Sequence, residues 1–365
     1  MAELLKNIYN DQFFEHFVPM LHKVYPELNK KKFKEDILSA GWKDLELKQR
    51  MRRIAETLGA HLPSDYKTSS GILCALIDEL FDEEELSYGF QYMFIPDFIQ
   101  VYGIEQPDIS IPAMECITRY SSCEFAIRPF LIQYPERMLK QCLTWTQHDH
   151  EMVRRLASEG TRPRLPWGMS VPWIKKDPRK VLPVLELLKS DSSETVRRSV
   201  ANSINDMAKD DVALVLEIVD KWKGISPETD KLIRHASRTL LKRSNGDALA
   251  HFGIKKIKSA FVSDLKTSKK KIAIGDDLYF SFEMELKSGA KIRLEYAIDY
   301  RKANGKTSRK VFKLSEGDYA KGLHAFTKKQ SFKDFTTRKH YPGKHAIAIL
   351  LNGEEKAQVE FIVTA

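Results

Sequence analysis

The stretch 150–155, with the sequence HEMVRR, has counterparts at 194–198 (ETVRR) and 230–234 (DKLIR). In each, an acidic residue at a predicted helix start is followed by hydrophobic residues and arginine. Self-similarity at a period of about 40 residues, with two helical patterns per unit, predicts a HEAT-like or armadillo-like solenoid. Helix pairs of that kind stack into a long concave surface, so the repeated arginines suggest a phosphate backbone as its partner.

The hydrophobic pattern changes from helical to strand-like along the chain. Up to residue 250, hydrophobic residues recur at helical spacing, as at Phe14, Phe17 and Leu21 behind the predicted helix cap Asn10. Strand signals are scarce before residue 255. This pattern predicts an all-α HEAT-like repeat superhelix over residues 1–250.

The C-terminal part has a period of two. Phe280, Phe282 and Met284 alternate with polar residues, and a later hydrophobic run ends at Asn352-Gly353, a hairpin signal. About seven short strands in the last ~110 residues indicate an immunoglobulin-like β-sandwich. We therefore predict a second domain over residues 255–365.

The net charge of +9 is unevenly distributed. Residues 1–139 carry 15 Lys and Arg against 22 Asp and Glu, whereas residues 140–245 carry 20 against 14 and residues 254–365 carry 24 against 13. The positive part begins with the arginine repeats, as expected for a face that binds a polyanion, and the acidic N-terminal part is expected to stay clear of that face. Lysines that only keep a β domain in solution would give a similar balance.

Several protein classes are disfavoured. No stretch approaches the ~20 apolar residues that span a bilayer, and the N-terminus lacks a signal-peptide pattern, so we expect a cytosolic protein with no membrane partner. The four cysteines form no CxxC pair, and His148-Asp149-His150 has no third ligand at metal spacing, so no metal is expected. Without a P-loop, GxSxG or HExxH motif, an enzyme would use carboxylates and an aromatic residue, and no cofactor.

Three carboxylates share a predicted helix face with an arginine. Glu124 lies four residues before Arg128, Glu159 lies four after Arg155, and Asp206 lies eight after Arg198. Ordinary intrahelical ion pairs, which contribute a few tenths of a kcal/mol, would explain any one of them. Three on successive helices favour a chemical role, because carboxylates are a liability on a phosphate-binding face.

The segment 160–168, GTRPRLPWG, follows Glu159 directly. Its two prolines and two glycines exclude a helix, so Arg162, Arg164 and Trp167 are expected in an extended loop. A rigid loop with guanidinium and indole groups suits a nucleotide. A core position for Trp167 is the alternative. Downstream, Lys175 and Lys176 could clamp phosphates or only solvate a helix start.

The segments 153–168 (VRRLASEGTRPRLPWG) and 196–206 (VRRSVANSIND) resemble the AlkC family of alkylpurine DNA glycosylases, and the resemblance covers nearly the whole chain. It implies a HEAT-like superhelix that holds DNA in its concave face, with an appended immunoglobulin-like domain. It also implies hydrolysis of the N-glycosidic bond of cationic bases, such as 3-methyladenine and 3-methylcytosine in double-stranded DNA. The family approaches the lesion without a base-flipping pocket. A monomer without metal or cofactor is expected.

The resemblance places Glu124, Glu159, Trp167 and Asp206 at active-site positions. We expect Asp206 to position the water as general base, Glu159 and Glu124 to stabilise the cationic sugar and base, and Trp167 to pack on the lesion nucleotide. The residues expected to contact DNA are Arg154, Arg155, Arg162, Arg164, Lys175, Lys176, Arg197, Arg198, Lys270 and Lys306. The alternatives are a HEAT scaffold that binds nucleic acid without catalysis and a protein-interaction scaffold that has no salt-dependent DNA affinity.

Overall fold

A computed structural model of the chain describes residues 4–83, 89–335 and 339–365. The chain divides into two compact units, one made of Met1–Met207 with Gly224–Leu232 and the other of Ala208–Lys223 with Ile233–Ala365. The division falls within the helical part, and the domain boundary placed near residue 250 stays a prediction.

Helices occupy the chain up to residue 251. They are α1 (Asp11–Val24), α2 (Lys30–Ile37), α3 (Leu47–His61), α4 (Tyr66–Glu83), α5 (Phe94–Tyr102), α6 (Pro107–Thr118), α7 (Ile127–Gln133), α8 (Pro135–Trp145), α9 (Glu151–Gly160), α10 (Pro172–Lys176), α11 (Leu182–Leu188), α12 (Glu194–Met207), α13 (Val212–Trp222), α14 (Pro227–Ala236), α15 (Arg238–Lys242) and α16 (Gly246–His251). Across the described ranges, no helix has the length and apolar character needed to cross a membrane.

Local sequence signals account for the helix starts and buried faces. The Asn10 side chain accepts a hydrogen bond from the Phe13 N–H at 3.0 Å, which confirms the predicted cap of α1. Phe14 and Phe17, on one face of that helix, are buried as the spacing predicts. Within the first unit, α3 packs against α5, α4 against α6, and α9 against α12. In these three pairs, helices that are not consecutive in the chain pack against each other.

Strands occupy the chain from residue 260 onward. They are β1 (Ala260–Thr267), β2 (Lys271–Ala273), β3 (Asp277–Leu286), β4 (Ala290–Arg301), β5 (Thr307–Tyr319), β6 (Gly322–Ser331), β7 (Gly343–Leu351) and β8 (Glu354–Thr364). One sheet has the order β1-β3-β6 and the other the order β2-β8-β7-β4-β5. The prediction of a helical part followed by a β-sandwich is confirmed.

The sandwich core follows the predicted alternation on β3. Phe280, Phe282 and Met284 are buried and pack with residues from β4, β7 and β8. Asn352 and Gly353 both have positive φ, at 51° and 82°, as a tight two-residue hairpin between β7 and β8 requires. The turn signal in the sequence therefore identified this connection correctly.

Strand β4 has both of its faces buried, although apolar and polar residues alternate along its sequence. The polar residues Arg293 and Glu295 are 5% and 1% exposed. Arg293 donates to Glu295 and to Glu316 of β5, each at 2.8 Å, and Glu316 also pairs with Arg234 of α14. The third arginine of the sequence repeat thus pairs with a carboxylate of the β-sheet.

We expect Arg293→Met to destabilise the protein strongly. The substitution leaves Glu295 buried without its cation, and breaking a buried pair from one side costs about 3–5 kcal/mol. Arg309→Met is the matched control, because Arg309 pairs with Asp299 and Glu355 at the surface and such pairs are worth about 1 kcal/mol or less. Urea unfolding of both full-length variants measures the difference. Equal losses would contradict the importance of the buried pair.

A buried histidine predicts a pH dependence of stability. His345 is 2% exposed and donates from Nε2 to the Tyr341 carbonyl at 3.0 Å. Burial, together with the charges of His340 and Arg301, lowers the pKa of His345 below its ordinary value of 6.5, although the hydrogen bond to Tyr341 opposes this. The unfolded chain therefore takes up a proton first as the pH falls.

The stability lost through His345 should thus appear below about pH 6.5, where the unfolded state binds more protons than the folded state. We expect the melting temperature to fall less between pH 7 and pH 5 for His345→Gln than for the wild type, because the amide can still donate to Tyr341 and does not titrate. Parallel losses in the two proteins would assign the acid sensitivity to other groups.

Candidate active site on helices α9 and α12

The candidate site lies where α9 and α12 pack together. The Ser158 hydroxyl of α9 donates to the Ser199 hydroxyl of α12 at 2.8 Å, and both are buried. Near the start of α9, Arg154 makes a two-pronged ion pair with Asp191, at 2.7 and 3.0 Å. These contacts fix the two helices against each other, and the carboxylates near their C-terminal ends are fixed with them.

Glu124 and Arg155 form the outer end of the site. Glu124 lies on a turn between α6 and α7, and its Oε2 accepts from Arg155 at 2.9 Å and from the Ser122 hydroxyl at 2.8 Å. Arg155 also donates to Ser122 at 3.2 Å. The side chains of Glu124 and Arg155 are 16% and 17% exposed, so they remain within reach of a ligand.

Glu159 and Asp206 form the inner end and share one arginine. Arg162 donates from Nη1 to Glu159 at 2.6 Å and from Nε to Asp206 at 2.9 Å. All three side chains are at most 8% exposed. Glu159 also lies 3.8 Å from Arg155, so the pairs connect into one series, in order Glu124, Arg155, Glu159, Arg162 and Asp206. We call these five residues the carboxylate row.

Three carboxylates alternate with two guanidinium groups in the row, so the row has one net negative charge. Two of its ion pairs differ from those that helical spacing predicts. Glu124 pairs with Arg155 of α9 instead of Arg128, because Glu124 lies on a turn and not on the helix of Arg128. Asp206 pairs with Arg162, whereas Arg198 pairs with the exposed Glu194. Glu124 and Asp206 are therefore paired with arginines of other structural elements.

Trp167 lies on the loop that leads away from Arg162. Its side chain is 60% exposed, which excludes the alternative of a core tryptophan. Its backbone has φ 63°, a left-handed conformation that costs a bulky residue on the order of 1–3 kcal/mol. The loop holds this conformation in part because Lys48 of α3 donates to the Trp167 carbonyl at 2.9 Å.

Arg128 holds the same loop from beneath. It is 1% exposed and donates to the carbonyl oxygens of Gly160, at 2.8 Å, of Arg162, at 3.0 Å, and of Met169. Burial and the charge of Arg162 lower the pKa of Arg128 to about 10, so it stays charged near neutral pH. Arg128 therefore positions the backbone from which Arg162 and Trp167 extend.

We expect Arg128→Lys to lower the rate of the reaction at this site by roughly 10- to 100-fold, since a small displacement of reacting groups is enough for such a loss. Lysine keeps the charge but lacks the planar fork that reaches several carbonyl oxygens at once. DNA affinity should change little, because Arg128 is buried. A matching fall in affinity and rate would show that the whole site had collapsed.

The remaining basic residues fall into two groups, a partly buried one made of Arg154, Arg164 and Arg197 and an exposed one. Arg154 and Arg197 donate to backbone carbonyl oxygens near the starts of their helices, at 148–149 and 191–192. Arg164 is half-buried on the loop. Exposed side chains belong to Lys175, Lys176, Arg198, Lys270 and Lys306. A DNA contact by any residue of either group stays a prediction.

Two residues that the sequence did not single out, Ser122 and Lys48, complete the site together with Arg128, which the sequence indicated only as an ion-pair partner of Glu124. Ser122 could have been noticed two positions before Glu124, but nothing local marks Lys48, which is 119 residues from Trp167. The histidines near α9 cap it, since the His150 Nδ1 accepts from the Met152 N–H at 3.2 Å. In the described ranges no cluster of three or more histidine, cysteine or acidic side chains could hold a metal.

Comparisons with known proteins match both parts of the chain. A family model described as "DNA alkylation repair enzyme" matches residues 118–244, and one described as "Uncharacterised protein YhaZ, C-terminal Ig-like domain" matches residues 261–365. The uncharacterized protein YhaZ of Bacillus subtilis (strain 168) is 43% identical over 364 residues, and the match covers 100% of each chain. Pseudomonas fluorescens alkylpurine DNA glycosylase AlkC, solved bound to DNA containing an abasic site analog, is 37% identical with a TM-score of 0.94, again over 100% of each chain.

Proposed function

Because this chain belongs to the AlkC family of alkylpurine DNA glycosylases, we propose that it releases cationic N3-alkylated bases, 3-methyladenine and 3-methylcytosine, from double-stranded DNA. The observation that carries the proposal is the carboxylate row, which is buried at its inner end and is followed by a loop with an exposed tryptophan. Two of its carboxylates are almost fully buried and share Arg162. Such groups suit the stabilisation of a cation better than the binding of a phosphate.

The chemistry of the substrate explains why carboxylates are sufficient. A base alkylated on a ring nitrogen already carries a positive charge, so it leaves the sugar readily. The barrier is then the developing oxocarbenium charge and the placement of one water. A fixed negative group beside the sugar stabilises that charge most strongly where water is excluded, as at the inner end of the row.

We assign roles along the row. Asp206 positions the attacking water and accepts its proton, while Glu159 and Glu124 stabilise the cationic sugar and base. Trp167 packs on the lesion nucleotide, where a cation–π contact contributes about 0.5–2 kcal/mol. Because the row offers carboxylates and guanidinium groups, water is the nucleophile we propose in place of a lysine amine. The enzyme would then be monofunctional and leave an abasic site.

The exposed position of Trp167 favours a mechanism without a base-flipping pocket for the lesion, since an exposed ring can reach a base that stays in the duplex. We propose that residues 1–250 act as the glycosylase domain and that the immunoglobulin-like domain, residues 255–365, clamps DNA through Lys270 and Lys306. Lys175, Lys176 and Arg198 are exposed and would contact phosphates. We propose a monomer that acts in the bacterial cytosol.

The test is release of bases from DNA treated with a methylating agent, with the products separated by chromatography. We expect 3-methyladenine and 3-methylcytosine to be released much faster than 7-methylguanine. If the folded wild type binds DNA but releases no base, the result would favour the alternative of a non-enzymatic HEAT scaffold. If the protein shows no salt-dependent DNA binding, the result would favour the alternative of a protein-interaction scaffold.

The clamp is tested in the full-length chain, because the second compact unit includes helices upstream of residue 255 and a truncation there would cut through it. Replacement of Lys270 and Lys306 by alanine should lower the slope of log affinity against log salt by about 2, one unit for each lost phosphate contact. An unchanged slope would remove the clamp from the proposal and leave the glycosylase intact.

A further inference from the structure

A cavity of about 420 Å³ opens beside the Trp167 loop. Helices α3 and α5 form one wall, and the segments 122–125 and 167–169 form the other. Ser122 lines the cavity and also bonds Glu124 and Arg155, so it connects the cavity to the carboxylate row. None of the three carboxylates of the row lines the cavity, so it adjoins the reaction centre and is distinct from it.

The size and the walls of the cavity suit a flat, polarisable group. Its volume lies within the roughly 300–1,000 Å³ of typical small-ligand sites. Its lining residues include the aromatic Trp167 and Phe125 and the thioether residues Met51, Met93 and Met169. Aromatic rings stack with nucleobases whatever their sequence, and thioethers adapt to aromatic faces. Such a lining favours a base over a sugar or a peptide.

Three cations of α3 surround the cavity, in the part of the chain where acidic residues outnumber basic ones. Lys48 donates to the Trp167 carbonyl and lies 5.3 Å from the centre of the Phe125 ring. Arg53 donates to the Ser39 hydroxyl at 3.0 Å. Arg52 pairs with Asp97, and Glu56 lines the cavity as well, so the lining has one net positive charge. Lys48 and Arg53 thus donate to neutral oxygens in this structure, whereas Arg52 pairs with a carboxylate.

We propose that this cavity is a second nucleotide subsite, which takes a DNA nucleotide neighbouring the lesion. The base packs against Trp167, Phe125 and the methionines, and its phosphate lies on Lys48 and Arg53. The occupant is a neighbour and not the lesion itself, because the proposed mechanism has no base-flipping pocket for the lesion. This inference rests on the proposed function, since it takes damaged DNA as the substrate.

The subsite gives Trp167 a second role. The ring lines the cavity and lies on the loop that leads away from Arg162 of the row. In the proposed complex it separates the lesion from its neighbour, and the neighbouring base then needs a place to stack. A filled subsite would hold the DNA in the distorted form in which the carboxylates reach the sugar. The charge distribution predicts that the acidic N-terminal part stays clear of DNA. A filled subsite would instead bring this part into contact with DNA through α3.

The experiment uses duplex DNA with an uncleavable tetrahydrofuran abasic site and 2-aminopurine placed in turn 5′ of it, 3′ of it and opposite to it. We expect the fluorescence of one of these positions to change on binding to the wild type. Met169→Trp, which fills the cavity from an exposed position, should abolish that change, and Met169→Ala, the matched control that opens the cavity, should preserve it.

The phosphate contact is tested by Arg53→Gln. The slope of log affinity against log salt should fall by about 1, whereas Lys31→Ala on α2, whose side chain is 88% exposed and does not line the cavity, should leave it unchanged. Unchanged slopes for both variants, together with 2-aminopurine signals that Met169→Trp does not alter, would overturn the proposal.

Base release by the wild type is measured in parallel. Release without a cavity-dependent signal rejects the subsite and keeps the glycosylase, whereas binding with the expected signal but without release supports the subsite and rejects the catalytic function. Circular dichroism of each variant separates loss of fold from loss of contact.

Discussion

Asp206→Asn is expected to lower the rate of 3-methyladenine release by about 10²- to 10⁴-fold, the usual contribution of a positioned general base. The amide has nearly the same shape as the carboxylate, and its oxygen can still accept from the Arg162 Nε, now 2.9 Å from the Asp206 carboxylate. The fold and the position of the row should therefore persist. Only the negative charge and the capacity to take the water's proton are removed.

The measurement is a single-turnover rate on methylated DNA, combined with the affinity for tetrahydrofuran-containing DNA, which should change little. Asp299→Asn is the matched control, because Asp299 is a partly buried carboxylate that pairs with Arg309 outside the row. Its rate should stay within a few-fold of the wild type. Should Asp206→Asn keep a full rate while Glu159→Gln abolishes it, the role of general base would belong to Glu159.

Arg162→Met is expected to impair both stability and catalysis. Arg162 is the cation shared by Glu159 and Asp206, and its loss leaves two carboxylates buried without it. One-sided removal of a buried ionic partner costs about 3–5 kcal/mol of unfolding free energy. The carboxylates would also move apart, and a displacement of about 1 Å can cost roughly 10² in rate.

A double variant separates the two effects. Arg162→Met combined with Asp206→Asn removes one of the two uncompensated charges, so it should recover part of the stability lost by Arg162→Met alone. Its rate should remain as low as that of Asp206→Asn. If the losses in unfolding free energy were simply additive, Arg162 and Asp206 would not be coupled, and their ion pair would not contribute to stability.

The sequence determined the elements of this protein because their signals are local. The spacing of apolar residues fixed the faces of helices such as α1, Asn10 capped it, and Asn352-Gly353 closed the last hairpin. The switch from a helical to a strand period correctly predicted a helical part followed by a β-sandwich. Glu124, Glu159 and Asp206 were recognisable as carboxylates that each share a predicted helix face with an arginine, and the structure brings them into one row.

Only the tertiary structure decided which groups meet. The ion pairs of Glu124 and Asp206 join residues 31 and 44 positions apart, because they depend on how a turn, a loop and two helices pack, and helical spacing within one element carries no such information. The buried position of Arg293 on the outer face of β4 likewise depends on tertiary contacts, since Arg293 pairs with Glu316 of β5 and Glu316 pairs with Arg234 of α14. Trp167 is exposed, has a left-handed backbone and lines a cavity, and one of the residues that hold its loop is a lysine 119 positions away, a contact that long-range packing creates and no local pattern encodes.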